Sequence, residues 1–171
     1  MVESLVAFFI NLFSGISNIP FGKEMTIFFI SCLPILELRG GILAASLLHV
    51  NPIAAFIICF IGNILPIPFI LWFITPLFNK LKKWKQIEPF ITKLENKAMA
   101  KKDKIEHIQF WGLFFFVGIP LPGTGAWTGT LIASMINMDK KKALISSILG
   151  VILAGMIMLI MSYGILGAIL G

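Results

Sequence analysis

Long apolar stretches, separated by short polar links, are the main feature of this chain. An amphipathic or short spanning helix is predicted at residues 4–20, and the long stretches follow at residues 25–50, 52–78, 108–138 and 143–171. A helix needs about 20 apolar residues to span a bilayer, so we expect the second and fourth stretches to cross once each. The pattern predicts an all-α integral membrane protein in which residues 1–171 form one membrane domain.

Proline and glycine residues interrupt the third stretch near its middle. Pro120, Pro122, Gly123 and Gly125 lie within six residues, where they would end a helix and free backbone groups. Lysines flank both ends of the stretch, and short lysine-rich loops stay in the cytoplasm. We therefore predict a re-entrant hairpin that enters and leaves on one side. Backbone freed at membrane depth must be satisfied by protein or water, which makes the break a candidate site.

The first two stretches have a counterpart later in the chain. Residues 25–75 and 113–163 match at thirteen positions when they are aligned without a gap, at an offset of 88 residues. The matches include Pro34 with Pro122, Gly41 with Gly129, Ser46 with Ser134, and Gly62 with Gly150. Together with the lysine distribution, this predicts two inverted repeats, each a re-entrant hairpin followed by a transmembrane helix, as in secondary transporters with midplane sites. Two ordinary kinked helices are the alternative.

The net charge of +6 does not indicate a nucleic-acid partner, because the lysines lie in two short links. Nine lysines fall between Lys80 and Lys104, and three more are consecutive at residues 140–142. Such clusters set membrane topology. Within the linker at residues 79–107, apolar residues at three- and four-residue spacing predict an amphipathic cytoplasmic helix that contacts membrane lipid, either as a topology anchor or as a site for anionic lipid.

Glu37 and Arg39 are charged residues within the apolar first stretch, and Arg39 is the only arginine in the chain. A charge at the centre of a membrane helix costs roughly 2.5–3.5 kcal/mol, so such residues usually face an interior and mark a pathway. The two positions are about 200° apart around a helix and do not pair directly. Each charge therefore needs another partner. In the alternative, a shallow hairpin leaves both charges solvated.

The second break predicts a helix restart, with Pro122 near the first turn and Thr124 as the capping residue. Two half-helix N-termini would then approach each other from opposite sides and, together with Arg39, favour an anion. Close packing by small residues is the alternative reading. The candidate substrate-binding residues are Glu37, Arg39, Gly40, Gly41, Pro120, Pro122, Gly123, Thr124, Gly125, Trp127 and Thr128.

Signals of catalysis and of cofactor or metal binding are weak. His49 and His107 lie at segment ends without metal-ligand spacing, and Cys32 and Cys59 lie in apolar segments. No serine, cysteine or aspartate has an evident activating partner. We expect no enzyme activity, no cofactor and no metal site.

Two motifs resemble those of a known family. Residues 37–41, Glu-Leu-Arg-Gly-Gly, and residues 120–129, beginning Pro-Leu-Pro-Gly-Thr-Gly, are similar to the putative small multidrug export family of prokaryotic inner-membrane proteins. The paired-hairpin layout is more distantly similar to the DedA and VTT membrane proteins, which are associated with movement of polyprenyl-phosphate or phospholipid headgroups. Unlike the DedA pattern, the second hairpin here contains no arginine.

The resemblance and the pattern together suggest a secondary transporter or exporter of a small or amphipathic substrate across the inner membrane. Arg39 and the helix ends would hold an anionic or phosphate-bearing group, and Glu37 would couple protons or orient Arg39. One alternative is a proton-coupled exporter of cationic drugs that uses Glu37. A second alternative is a non-transporting membrane scaffold or assembly factor. The sequence leaves homo-oligomer formation open.

Overall fold

The structure is a computed structural model that describes residues 2–12, 20–74, 102–121 and 123–165. Within these ranges the chain is helical and contains no strand. Helices α1 to α8 span Val2–Leu12, Gly22–Cys32, Glu37–Leu47, Pro52–Ile64, Pro66–Phe69, Lys102–Gly118, Ala126–Met135 and Lys140–Leu159, and π-helical turns follow α5 at Ile70–Ile74 and α8 at Ile160–Ile165. The prediction of an all-α protein is confirmed.

Two segments are long and apolar enough to cross a membrane, and they are the two predicted from the sequence. They are Pro52–Phe73, which combines α4 and α5 with their π-helical extension, and Lys140–Gly164, which contains α8. The second begins three residues before the predicted stretch, because the Asp139 side chain accepts a hydrogen bond from the Lys142 amide and caps the helix there. A capping carboxylate at this position satisfies an amide that has no partner within the helix.

The end of the predicted amphipathic linker and the start of the second hairpin lie on one helix. Helix α6 begins at Lys102 and continues without a break to Gly118, so the last residues of the predicted linker belong to the hairpin. Lysine and glutamate favour helices, and a change from polar to apolar residues does not by itself end one. The rest of the predicted linker lies outside the described residues.

The two halves of the chain share local geometry at an interval of 88 residues. His49 and Asn137 both adopt left-handed backbone conformations, with φ of 55° and 52°. Each is followed two residues later by a side chain that caps the next helix, Asn51 for α4 and Asp139 for α8. The same turn therefore joins the short helix α3 to α4 and the short helix α7 to α8.

Glycines allow the helices of each half to pack closely. A Cβ atom added to Gly62 on α4 would lie 2.8 Å from the carbonyl oxygen of Phe28 on α2. A Cβ atom added to Gly150 on α8 would lie 2.8 Å from the carbonyl oxygen of Phe114 on α6. Since these neighbours are backbone atoms that side-chain rotation cannot move, both crossings require glycine.

Helix α1 packs on the first half of the molecule. It contacts α3 and α2, and its Val6 side chain is completely buried there. Leu5, Phe9 and Ile10 pack against the same core. These positions follow the spacing of one helix face, so α1 covers the first pair of short helices.

Candidate functional site

The break between α2 and α3 places Glu37 at the start of a helix in a strained conformation. Residues 33–36 leave helix α2, and Glu37 begins α3 with φ of 52°. A glutamate with a left-handed backbone costs of order 1–3 kcal/mol and persists only where surrounding contacts fix it. Its side chain is buried, and the contacts that fix it come from the other half of the chain.

The Glu37 carboxylate caps helix α7. Its Oε2 accepts a hydrogen bond of 3.0 Å from the Ala126 amide, and its Oε1 accepts one of 3.0 Å from the Trp127 amide. The first turn of a helix has unpaired amides and a partial positive charge. A carboxylate from a position 89 residues earlier therefore satisfies an end that no local side chain caps.

Gly125 makes this close approach possible. It is the N-cap residue of α7 and has φ of 140°, a conformation that favours glycine. A Cβ atom at this position would lie 2.0 Å from the Glu37 Oε2. The absence of a side chain at residue 125 is thus a requirement for the carboxylate to reach the helix end.

Arg39 binds the opposite end of the same break, where α6 terminates. Its Nη1 donates to the Leu121 carbonyl at 2.6 Å, and its Nη2 donates to the Ile119 carbonyl at 3.1 Å and to the Val117 carbonyl at 3.4 Å. The last carbonyls of a helix lack internal partners and carry partial negative charge. The guanidinium satisfies several of them with its planar fork.

Thr124 links Arg39 to the backbone of the break. Its Oγ1 accepts from Arg39 Nη2 at 2.9 Å and lies 2.8 Å from the Leu121 carbonyl and 3.0 Å from the Ile119 carbonyl, to one of which its hydroxyl donates. The prediction that Thr124 caps α7 is wrong, because Gly125 occupies the cap position and makes no side-chain cap bond. The hydroxyl is instead taken up by Arg39 and by the end of α6.

We call the group formed by Glu37, Arg39, Thr124, Gly125 and the Ala126 amide the latch. Its carboxylate faces the positive end of α7, and its guanidinium faces the negative end of α6, so each charge complements a helix end. Within the described residues, no hydrogen bond joins Glu37 directly to Arg39. The two charges of the first break thus hold both ends of the second break.

The other predicted site residues have different surroundings. Gly41 is a packing residue, since an added Cβ atom would lie 1.9 Å from the Ser31 Oγ and 2.8 Å from the Cys59 Sγ. Gly40 packs on Leu36 in the same way, with 2.6 Å to its Cβ atom. Gly123 is exposed with φ of 80°. The remaining residues are half-buried Pro120 in the break, Trp127 and Thr128 in the first turn of α7, and Pro122, which lies outside the described residues.

Two polar contacts that we did not predict lie at the C-terminal end of α3. The Ser46 hydroxyl donates to the Ser162 carbonyl at 3.0 Å, and the Tyr163 hydroxyl donates to the Val50 carbonyl at 2.8 Å. Tyr163 is the only tyrosine in the chain. This was the one feature of the sequence that could have pointed to the contact. Among the described residues, no group of three or more His, Cys, Asp or Glu side chains has the arrangement of a metal site.

The fold and the latch define an all-helical membrane protein in which charged residues of one broken helix pair hold the ends of another. A family model described as "Putative small multi-drug export protein" matches residues 37–157, and the chain belongs to this family. The matched region begins at Glu37 and contains every residue of the latch. No curated protein and no solved structure matches the chain.

Proposed function

We propose that this protein is a secondary exporter of small or amphipathic molecules in the inner membrane, built from two inverted repeats. Each repeat consists of a re-entrant hairpin, α2 with α3 or α6 with α7, followed by a spanning helix. The recurrence of turns, caps and glycine crossings at an interval of 88 residues supports the repeat. The lysine clusters on both sides of the second hairpin support its entry from the cytoplasm, where we also assign the linker.

The latch is the observation that carries this proposal. It joins the two breaks, where backbone groups that have no partner within a helix must be satisfied by another group. In inverted-repeat transporters, substrate sites lie between the repeats at such broken helices. We assign the substrate site to the same groups, which become available when the latch opens.

An anionic group on the substrate would replace the Glu37 carboxylate in the open state. The Ala126 and Trp127 amides and the Arg39 guanidinium would then act as its donors, together with the Thr124 hydroxyl if it rotates. Protonation of Glu37 removes its negative charge and with it most of its attraction to the α7 terminus. Proton binding at Glu37 and anion binding at α7 are therefore linked, which provides a basis for coupling transport to protons.

Export of cationic molecules with Glu37 as the binding residue is the competing function. In the closed latch both Glu37 oxygens accept amide hydrogen bonds, so a cation would have to displace a helix end from the carboxylate. The two functions differ in the role of Arg39, which is direct for an anion and structural for a cation.

Transport in proteoliposomes under an imposed proton gradient tests the proposal. We suggest the anionic amphiphile anilinonaphthalene sulfonate and the cationic dye ethidium as probes. Glu37→Gln and Arg39→Lys should each reduce gradient-driven transport of the anion by about tenfold or more. Glu37→Gln cannot take up and release a proton, and Arg39→Lys loses the geometry of charge-assisted hydrogen bonds worth about 1.5–3 kcal/mol. Glu24→Gln changes a carboxylate in the first turn of α2 and should transport like the wild type.

The outcomes separate the competing functions. Loss of ethidium transport in Glu37→Gln with full retention in Arg39→Lys would favour cation export. If the wild type transports neither probe, or if both variants fold normally and transport like the wild type, transport through the latch is contradicted. Either result would favour a scaffold.

A further inference from the structure

An apolar cavity lies between α6 and α7, away from the latch. Its volume is about 230 Å³. The walls are formed by Gln109, Leu113 and Phe116 on α6 and by Gly129, Ile132 and Ala133 on α7. All of these side chains are uncharged, and the Gln109 amide is the one polar side chain among the residues of the described chain that line it.

The corresponding face of the first half is filled by protein. Helices α2 and α3 precede α6 and α7 by the repeat interval, and α1 packs against them with Val6 fully buried. Within the described residues, no helix covers α6 and α7 in this way. Among the described residues, a helix therefore covers this face of the first half, and the same face of the second half borders the cavity.

We propose that this cavity binds the uncharged hydrocarbon part of the exported molecule, such as an aromatic ring system. An apolar cavity of about 150 Å³ holds benzene, so a volume of about 230 Å³ has room for one or two rings. Water in the cavity would find few hydrogen-bond partners, because no charged group lines the walls. The inference rests on the proposed function and names the apolar half of an amphipathic substrate whose polar half belongs at the latch.

Helix α7 connects the cavity to the latch. Gly129 lies in the cavity wall and is three residues from Ala126, whose amide binds Glu37. Ala133 lies in the same wall one turn further along the helix. A molecule that fills the cavity therefore contacts the helix that the Glu37 carboxylate holds at its end.

Photolabelling of the full-length protein in lipid nanodiscs with benzophenone, a neutral two-ring molecule, tests this inference. Gly112 also lines the cavity, and a Cβ atom added there meets no atom within 4 Å. Gly112→Phe should fill the cavity without disturbing the backbone, and Gly112→Ala is the matched control that leaves most of the space. We expect saturable labelling of cavity residues in the wild type and in Gly112→Ala, and about a tenfold loss in Gly112→Phe.

A phospholipid with a photoreactive acyl chain is the second probe. Absence of saturable benzophenone labelling in the cavity of the wild type, or equal labelling of Gly112→Phe, would overturn the inference. Cavity labelling by the lipid that benzophenone does not displace would also overturn it and indicate an acyl-chain site. If the cavity binds benzophenone while latch variants transport normally, the proposed function fails and the binding site remains. If latch variants lose transport while the cavity binds nothing, the cavity inference fails and the proposed function remains.

Discussion

At the scale of single residues, the molecule depends on a carboxylate that reaches across to a helix end 89 residues away along the chain. This contact combines three requirements: a left-handed backbone at Glu37, a glycine at residue 125, and unpaired amides at the start of α7. Removing any one of them leaves a buried charge or a helix end without its partner, which is more damaging than losing an exposed pair.

Gly125→Ala should be strongly destabilising. The new Cβ atom would occupy the position of the Glu37 carboxylate, so hydrogen bonds worth about 1.5–3 kcal/mol each would be lost or distorted. Gly123→Ala is the matched control, because it also has positive φ but meets no atom within 4 Å and should lose only about 1–2 kcal/mol through backbone strain. Thermal unfolding in detergent, followed by dye labelling of buried Cys59, measures both. Equal losses would contradict the role of Gly125 in the latch.

The sequence predicted the need for partners at Glu37 and Arg39 but not the partners themselves. Two charges separated by about 200° on a helix within an apolar stretch must be satisfied from elsewhere. Which groups satisfy them depends on how the two halves pack, and spacing along one helix carries no information about that. For the same reason, Thr124 looked like a local cap, whereas the cap of α7 comes from Glu37.

At the scale of helices, proline and glycine predicted both breaks, and charge composition did not mark the start of α6. Helices α2 and α6 end close to Pro34 and Pro120, and α3 and α7 begin at Glu37 and Ala126, because proline cannot continue a helix. The start of α6 at Lys102 was missed since lysine clusters report membrane topology rather than helix ends. The caps at Asn51 and Asp139 were available in the sequence as residues that commonly begin helices.

Membrane topology gives a prediction for the second hairpin. In a cysteine-free background, Lys104→Cys and Lys141→Cys should react equally with a membrane-impermeant maleimide added from the cytoplasmic side, because lysine clusters flank both ends of the hairpin. Ile53→Cys, exposed at the start of α4, should react only from the opposite side. If the labels at residues 104 and 141 lie on opposite sides, α6 and α7 together cross the membrane and the re-entrant hairpin is wrong.

At the scale of the whole molecule, two halves with similar local geometry meet at the latch and at two further hydrogen bonds, from Ser46 to the Ser162 carbonyl and from Tyr163 to the Val50 carbonyl. Outside the latch, the interface between the halves includes Gly155 on α8, where an added Cβ atom would lie 2.5 Å from a ring carbon of Phe56 on α4. Apolar contacts of this kind can slide, whereas the hydrogen bonds of the latch are either made or broken. The latch is therefore the element expected to have two states.

If the latch opens during transport, the distance between the two breaks must increase, and this distance can be measured. Spin labels at Ile35→Cys and Leu121→Cys, two exposed positions on the first and second breaks, report that distance by double electron–electron resonance in proteoliposomes. Labels at Ile53→Cys and Ile61→Cys on α4 provide a control pair whose distance should stay constant.

We expect one short distance between the two breaks in the wild type at neutral pH, and a second population with a longer distance at acidic pH. Glu37→Gln should show the longer population at both pH values, since its side chain lacks the charge that holds α7. A single unchanged distance in the wild type and in Glu37→Gln at both pH values would show that the latch does not open.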